Sequence, residues 1–67
     1  MIRLTLNGET MRLSSPNNLQ QLLDTLHLGE KRVAVEVNRE IIPRSRHAAT
    51  RIREGDHIEI VRAIGGG

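Results

Sequence analysis

The residues of this sequence that could do chemistry are few, and the most distinctive ones are the last four, Ile64-Gly65-Gly66-Gly67. Glycine has no Cβ, so a run of glycines takes almost any backbone conformation and can pass through a narrow channel. The reactive group that such a tail presents is its terminal carboxylate, on Gly67. We interpret this carboxylate as the functional group, with Gly65 and Gly66 inside a partner's channel and Ile64 at the base of the tail. From the tail alone, a frayed end or an expression remnant is an equal alternative.

The remaining reactive residue types do not form a recognisable catalytic or metal-binding pattern. The three histidines, His27, His47 and His57, lie too far apart in sequence for a zinc-ligand motif. The glycines end the sequence instead of opening a helix, which argues against a phosphate-binding loop. There is no cysteine, so a disulfide or a thiolate metal site cannot form. We therefore expect no catalytic residue, no metal ion and no bound cofactor.

A carboxylate is a poor electrophile and must be activated before a nucleophile attacks it, for example as an acyl-adenylate made from ATP. The sequence has 67 residues, which suffice for one small domain but not for a deep substrate pocket. Activation would therefore need a separate enzyme, and this chain would be its substrate instead of an enzyme itself. A side chain near the terminus would obstruct the channel or the attack, which explains the glycines.

Composition narrows the range of partners. There are no aromatic residues, so the core must be aliphatic, and stacking on single-stranded nucleic acid is disfavoured. The net charge is only +2, with acidic and basic residues interspersed as on a solvated surface; a contact with a larger acidic partner is the alternative. No apolar run is long enough to span a membrane or to act as a signal peptide. We expect a cytoplasmic protein with neither nucleic-acid nor membrane partners.

Apolar and polar residues alternate in several stretches, which predicts half-buried strands. Asn7-Gly8 between the first two stretches favours a type I′ hairpin turn. Gly55 marks a later turn, and Pro43 suits the end of an edge strand. The parity of the last strand buries Ile58 and Ile60 and exposes Val61 beside Arg62, and we predict that Val61 and Arg62 contact the partner. The predicted strands cover residues 2–6, 9–13, 32–38, 40–42 and 57–63.

One helix is predicted from four leucines at helical spacing, Leu19, Leu22, Leu23 and Leu26. Asn18 with Gln21 resembles a capping box, and Ser15 with Pro16 is a second potential start. Gly29 is predicted to end the helix in a left-handed conformation. Residues 44–53 are predicted to form a turn or short helical piece with Ile52 buried.

The predicted order is β-β-α-β-β-β, and a single helix can cover only one face of the sheet. The fold class is therefore α+β, a mixed sheet of four to five strands with one helix packed on one face and the other face in solvent.

Several short motifs resemble the ThiS family of sulfur carriers in thiamine biosynthesis. These motifs are Val37-Asn38 before a turn, Ile42-Pro43-Arg44, Glu54-Gly55-Asp56, and a last strand that runs into Ala63-Ile64-Gly65-Gly66-Gly67. The resemblance covers essentially the whole sequence and implies a ubiquitin-like β-grasp domain over residues 1–64 with a flexible tail over 65–67.

The resemblance also implies a reaction cycle. A ThiF-like (E1-like) adenylyltransferase would adenylate Gly67 with ATP, a cysteine desulfurase persulfide would supply sulfur, and the resulting thiocarboxylate would deliver it to a ThiG-like thiazole synthase. The Pro43-Arg44 pair and the short length favour ThiS over MoaD, the small subunit of molybdopterin synthase. A MoaD-like subunit or another ubiquitin-like modifier remains the alternative.

Overall fold

Five strands form one mixed sheet with a single α-helix on one face, in a computed structural model that describes residues 1–14, 18–29 and 31–62. The sheet order is β2-β1-β5-β3-β4, with β1 and β5 parallel and the other neighbours antiparallel. The predicted α+β class and strand number are thereby confirmed. The elements are β1 (Ile2–Leu6), β2 (Glu9–Leu13), α1 (Leu19–Thr25), β3 (Val33–Val37), β4 (Glu40–Ile42), a 3-10 helix (Arg44–Ala49) and β5 (His57–Arg62).

The core lies between α1 and one face of the sheet, and it is entirely aliphatic. Leu19, Leu22 and Leu23 of α1 are buried, as their helical spacing predicts, and Leu26 packs against them half-buried. Alternating residues of the strands meet this leucine stripe, because every second side chain of a strand points to the same face. The buried residues outside α1 are Leu4, Leu13, Val35, Ile52, Ile58 and Ile60.

The two ends of α1 show one prediction confirmed and one wrong. Asn18 is the N-cap: its side chain accepts from the Gln21 N–H, and the Gln21 side chain accepts from the Asn18 N–H, a complete capping box. At the other end Leu26 is the C-cap and His27, not Gly29, takes the left-handed conformation, with φ 61°. The helix stops earlier than predicted because the Leu28 N–H donates to Leu23 O and the His27 N–H to Asp24 O, the Schellman pattern.

Gly29 lies close to the helix that the chain has just left. A Cβ at this position would meet the end of the exposed Asp24 side chain, which would have to move aside. The alternative helix start at Ser15 and Pro16 lies outside the described residues, and α1 itself begins directly after Asn18.

Tight turns set the strand registers. Asn7 and Gly8, with φ 49° and 84°, join β1 to β2, and Asn38 and Arg39, with φ 52° and 70°, join β3 to β4. Positive φ at both central residues is the type I′ signature, which matches the right-handed twist of the flanking strands. Gly55, with φ 85°, makes the predicted turn before β5.

β4 is an edge strand that ends at Ile42, directly before Pro43, which caps the start of the 3-10 helix. His47 in this helix is only 3% exposed, and its Nε2 lies 3.0 Å from Ile42 O at the end of β4. This contact secures the 3-10 helix to the end of β4. No helix in the described part of the chain is both long and apolar enough to cross a membrane.

The Asn7 side chain supports the central strand β5. Its Nδ2 donates to Ile60 O over 3.2 Å and its Oδ1 accepts from the Ile60 N–H over 2.8 Å. β1 itself pairs with β5 only at Thr5 and Leu6. Beyond Ile58, the Asn7 side chain therefore makes the two hydrogen bonds to the Ile60 backbone that a neighbouring strand would otherwise make.

We expect Leu22→Ala to destabilise the fold by about 2–5 kcal/mol, because Leu22 is 0% exposed and its loss leaves a cavity in the only core of the described residues. Urea unfolding measures the change. Ile41→Ala, at a side chain that is 70% exposed, is the control and should stay within about 0.5 kcal/mol. Equal stability of the two variants would contradict the packing of α1 on the sheet.

Replacing Asn7 should loosen the end of β5. Asn7→Gly keeps the positive φ but removes both hydrogen bonds to Ile60, so we expect a loss of about 1–3 kcal/mol. Asn7→Asp keeps the acceptor alone and should lie between native and glycine. Amide hydrogen exchange is the measurement: the Ile60 amide should exchange faster relative to the Val35 amide, which has no contact with Asn7. An unchanged ratio would mean that Asn7 does not support β5.

Candidate functional site

The candidate site is the end of β5, from which the predicted reactive tail continues. The described residues stop at Arg62, so the predicted tail residues Ile64, Gly65, Gly66 and Gly67 lie outside them. The structure therefore defines the point of departure of the tail. At that point Arg62 is paired with Val33 of β3.

The departure point is held by its place in the sheet. β5 lies between β1 and β3, and its pairing with β3 continues without interruption from Ile58 to Arg62. On the other side of β5, the Asn7 side chain bonds Ile60. At Arg62 itself the described neighbour is β3, while β1 and the Asn7 side chain hold the earlier part of β5. The described part of the domain therefore fixes the position of Arg62.

Val61 lies on the face of the sheet that α1 does not cover, and its side chain is 64% exposed, as the strand parity predicts. Its cross-strand partner is Ala34 of β3, which is also exposed. Directly opposed residues share one face, so these two side chains form a small apolar surface on the open face. Arg62 has the opposite parity, so its side chain leaves the strand on the helix side and is not part of that surface.

Two carboxylates lie next to the apolar surface. Glu36 of β3 and Glu59 of β5 are directly paired, so they face each other on the open side of the sheet. Like charges in this arrangement repel and are unfavourable in the isolated domain. Ile41 of β4 is paired with Glu36 and continues the row to the edge of the sheet. The open face near β5 is therefore an apolar surface bordered by two carboxylates, which share a hollow with Arg39 and His57.

Sequence analysis did not include Ala34, Glu36 or Glu59 in the site. A usable signal was present for all three, because Ala34 and Glu36 alternate with the inward valines of β3 and Glu59 lies between the inward Ile58 and Ile60 of β5. Their assignment to the same surface as Val61 depends on the β3–β5 register, which no local pattern of the sequence specifies.

The described residues offer nothing that resembles a catalytic centre or a metal site. In residues 1–14, 18–29 and 31–62 no three His, Cys, Asp or Glu side chains are placed to hold a metal ion. The three histidines are far apart in their settings: His27 follows α1, His47 is buried in the 3-10 helix and His57 is exposed at the start of β5.

Comparison with known proteins gives a consistent result. The sequence profile of the ThiS family matches residues 4–67. The sulfur carrier protein ThiS of Bacillus subtilis is 38% identical over 65 residues, covering 96% of this chain and 98% of that protein. A thiazole synthase of Paramagnetospirillum magneticum is 41% identical over 66 residues, covering 98% of this chain, which spans only 20% of that longer protein.

A solved structure agrees with this assignment. The crystal structure of the thiamine biosynthesis protein ThiS from Geobacter metallireducens superimposes with a TM-score of 0.85 at 32% identity, covering 98% of this chain and 100% of that one. The order of strands and helix described above is therefore the ubiquitin-like β-grasp fold of that protein. Profile, sequence and structure agree over almost the entire length, and the chain belongs to the ThiS family, the sulfur carriers of thiamine biosynthesis.

Proposed function

We propose that this chain carries sulfur as a thiocarboxylate on Gly67 and delivers it for thiazole formation. The observation that supports the proposal most directly is the ThiS-family match, which extends through residue 67 and so includes the whole glycine tail. Gly65 and Gly66 would lie in the partner's channel, and Ile64 would anchor the base of the tail. In this proposal the chain is a co-substrate and has no catalytic residue of its own.

The chemistry begins with activation of the carboxylate. A ThiF-like adenylyltransferase would join the Gly67 carboxylate to the α-phosphate of ATP and release pyrophosphate. A persulfide sulfur, supplied by a cysteine desulfurase, then attacks the acyl carbon, and AMP leaves with one of the former carboxylate oxygens. A thiol would then attack the donor cysteine's sulfur in this acyl disulfide. The S–S bond to the acyl sulfur breaks, a new disulfide joins the thiol to the donor cysteine, and the thiocarboxylate is left on Gly67. Each step takes place at the terminus, so the domain contributes docking and reach.

The open face near β5 is the surface that we propose for docking. Val61 and Ala34 offer an exposed apolar contact on the strand that leads into the tail and on its neighbour. Glu36 and Glu59 face each other in the free domain, with Arg39 lining the same hollow. A basic group of the adenylating enzyme that reaches both carboxylates would be attracted by both. The complementary partner surface is therefore apolar at its centre and basic beside it.

Delivery to a ThiG-like thiazole synthase is the last step that we propose. The similarity of this chain to part of a thiazole synthase supports it, because a carrier and its acceptor enzyme must act together. Complementation of a strain that lacks ThiS would test the pathway directly. Growth without added thiazole is the expected result, and rescue of a molybdopterin synthase defect instead would favour the MoaD-like alternative.

Val61→Asp should weaken docking and leave the fold intact. The substitution places a third carboxylate beside Glu59 and removes the exposed apolar contact, at a side chain that the core does not use. Affinity for a ThiF-like enzyme, measured by titration calorimetry, should fall by about tenfold or more if Val61 lies near the centre of the interface.

Ile41→Asp is the matched control for Val61→Asp. Ile41 is also an exposed apolar residue, 70% accessible, but it lies two strands away from β5, roughly 10 Å. We expect a smaller loss of affinity than for Val61→Asp, with unchanged thermal unfolding in both. An equal loss in both variants would argue against a surface centred on β5.

Deleting Gly67 should abolish sulfur loading without affecting the domain. The carboxylate would then lie on Gly66, retracted by about 3.3–3.6 Å, and misplacement of a reacting group by 1 Å can cost about 100-fold in rate. The shortened chain should bind the adenylating enzyme but fail in ATP–pyrophosphate exchange and in thiocarboxylate formation, read by intact mass as exchange of one oxygen for sulfur.

Appending one alanine after Gly67 is the complementary variant, because it moves the carboxylate outward and adds a methyl group in the channel. It should also fail in both assays. The carrier proposal would have to be abandoned if the shortened and the extended chain gained sulfur at the native rate.

A further inference from the structure

A second surface feature lies at the opposite edge of β3, away from β5. It is a hollow of about 260 Å³ between the end of α1, the start of β3 and the 3-10 helix. We call it the β3-edge hollow. Its floor is apolar and contains Leu23, Leu28 and Val33. Its rim contains three exposed basic residues, Lys31, Arg32 and Arg44.

The hollow exists because β4 is shorter than β3. β4 has three residues and pairs only with Val35, Glu36 and Val37. At Pro43 the chain turns away into the 3-10 helix, where the His47 Nε2 contact to Ile42 O holds it. The first residues of β3 therefore have β5 on one side and, within the described residues, no strand on the other.

The backbone of Val33 faces this open side. The Asn38 N–H donates to His57 O, which makes Asn38 and His57 a hydrogen-bonded pair of the antiparallel ladder. Such pairs alternate, so the N–H and C=O of Ala34 point to β5 and those of Val33 point outward. Among the described residues none makes a backbone hydrogen bond to Val33 on that side.

We propose that the β3-edge hollow binds an extended acidic segment of a partner protein, which adds to β3 at Val33. An edge N–H and C=O pair is a template for an added strand, and pockets beside the edge select its side chains. Leu23 and Leu28 receive an apolar side chain of that segment. The charge on the rim selects for acidic neighbours, because three basic side chains surround the hollow and complementary charge favours the correct partner.

This surface meets the open face near β5 at Ala34, which also lines the hollow. Val61 lies on the face of the sheet and does not line the hollow, whereas the added segment would use the edge of β3. Peptide binding at the hollow does not require adenylation, so this proposal and the sulfur-carrier proposal can fail independently. A partner could occupy both surfaces at once, because Val33 and Arg62 are neighbours at the same end of the molecule.

The test is an NMR titration of the full ¹⁵N-labelled chain with a capped hexapeptide of alternating valine and glutamate. We expect shifts at Leu28, Val33 and Arg44 and slower hydrogen exchange of the Val33 amide at saturation. A peptide of alternating valine and lysine should bind far more weakly. Shifts confined to Val61 and its neighbours, or none at millimolar peptide, would overturn the proposal.

Two variants separate the rim charge from general electrostatics. Arg44→Glu should lower the affinity for the acidic peptide by roughly tenfold, since the charge reversal replaces an attraction with a repulsion. Arg46→Glu carries the same charge change on the same 3-10 helix but does not line the hollow, so it should change the affinity by less than about twofold. Equal losses would mean that only net charge matters, and the proposal would be wrong.

A titration with sodium acetate completes the design. If acetate alone produces the same shifts at Arg44, and the peptide does not protect the Val33 amide, the hollow binds small anions only and strand addition is excluded. Protection of Val33 by the peptide and not by acetate supports the proposal.

Discussion

The packing of one leucine stripe against one face of the sheet is the interaction on which the rest of this structure depends. Leu19, Leu22 and Leu23 are buried at the contact, and the domain contains no aromatic residue to enlarge it. Apolar burial contributes about 25 cal/mol per Å², so a domain of this size has little stability in reserve. Because one helix covers only one face, α1 leaves the other face of the sheet uncovered.

The same constraint explains the position of the candidate docking surface. Ile58 and Ile60 of β5 point into the core, so Val61 must point away from it. The strand that leads into the tail is therefore fixed from below by the core and available from above to a partner. The burial of Ile58 and Ile60 and the exposure of Val61 both follow from the alternation of side chains along β5.

Much of this architecture could be predicted from the sequence because its local signals agree. Period-two alternation defines the strands, the leucine spacing defines α1, and Asn18 with Gln21 defines its start. The prediction that Gly29 ends the helix was wrong because the geometry is satisfied earlier by His27, a residue that tolerates positive φ less well than glycine. The burial of His47 was not foreseen, since it depends on a contact with the end of β4.

The candidate site, too, could be predicted only in part. Parity correctly predicted that Val61 is exposed, but its pairing with Ala34 and the opposition of Glu36 and Glu59 arise from the order of strands in the sheet. Contacts between distant segments leave no periodic trace in a single sequence. The role of Gly67 followed from its type and place in the sequence and from family resemblance, and it stays a prediction, because residues 63–67 lie outside the described part of the chain.

The position of β5 between β1 and β3 also has a consequence for how the molecule is made. The β1–β2 and β3–β4 hairpins are each local in sequence, but in the sheet they join only through β5. A ribosome that has delivered everything up to β4 has therefore delivered two separate hairpins and a helix with an incomplete surface to pack against. The β1–β5 contact joins residues about 50 positions apart, such as Thr5 and His57, and contacts of such long sequence separation are the ones that slow folding. A nascent chain stalled before β5 would therefore expose its leucines to chaperones and proteases.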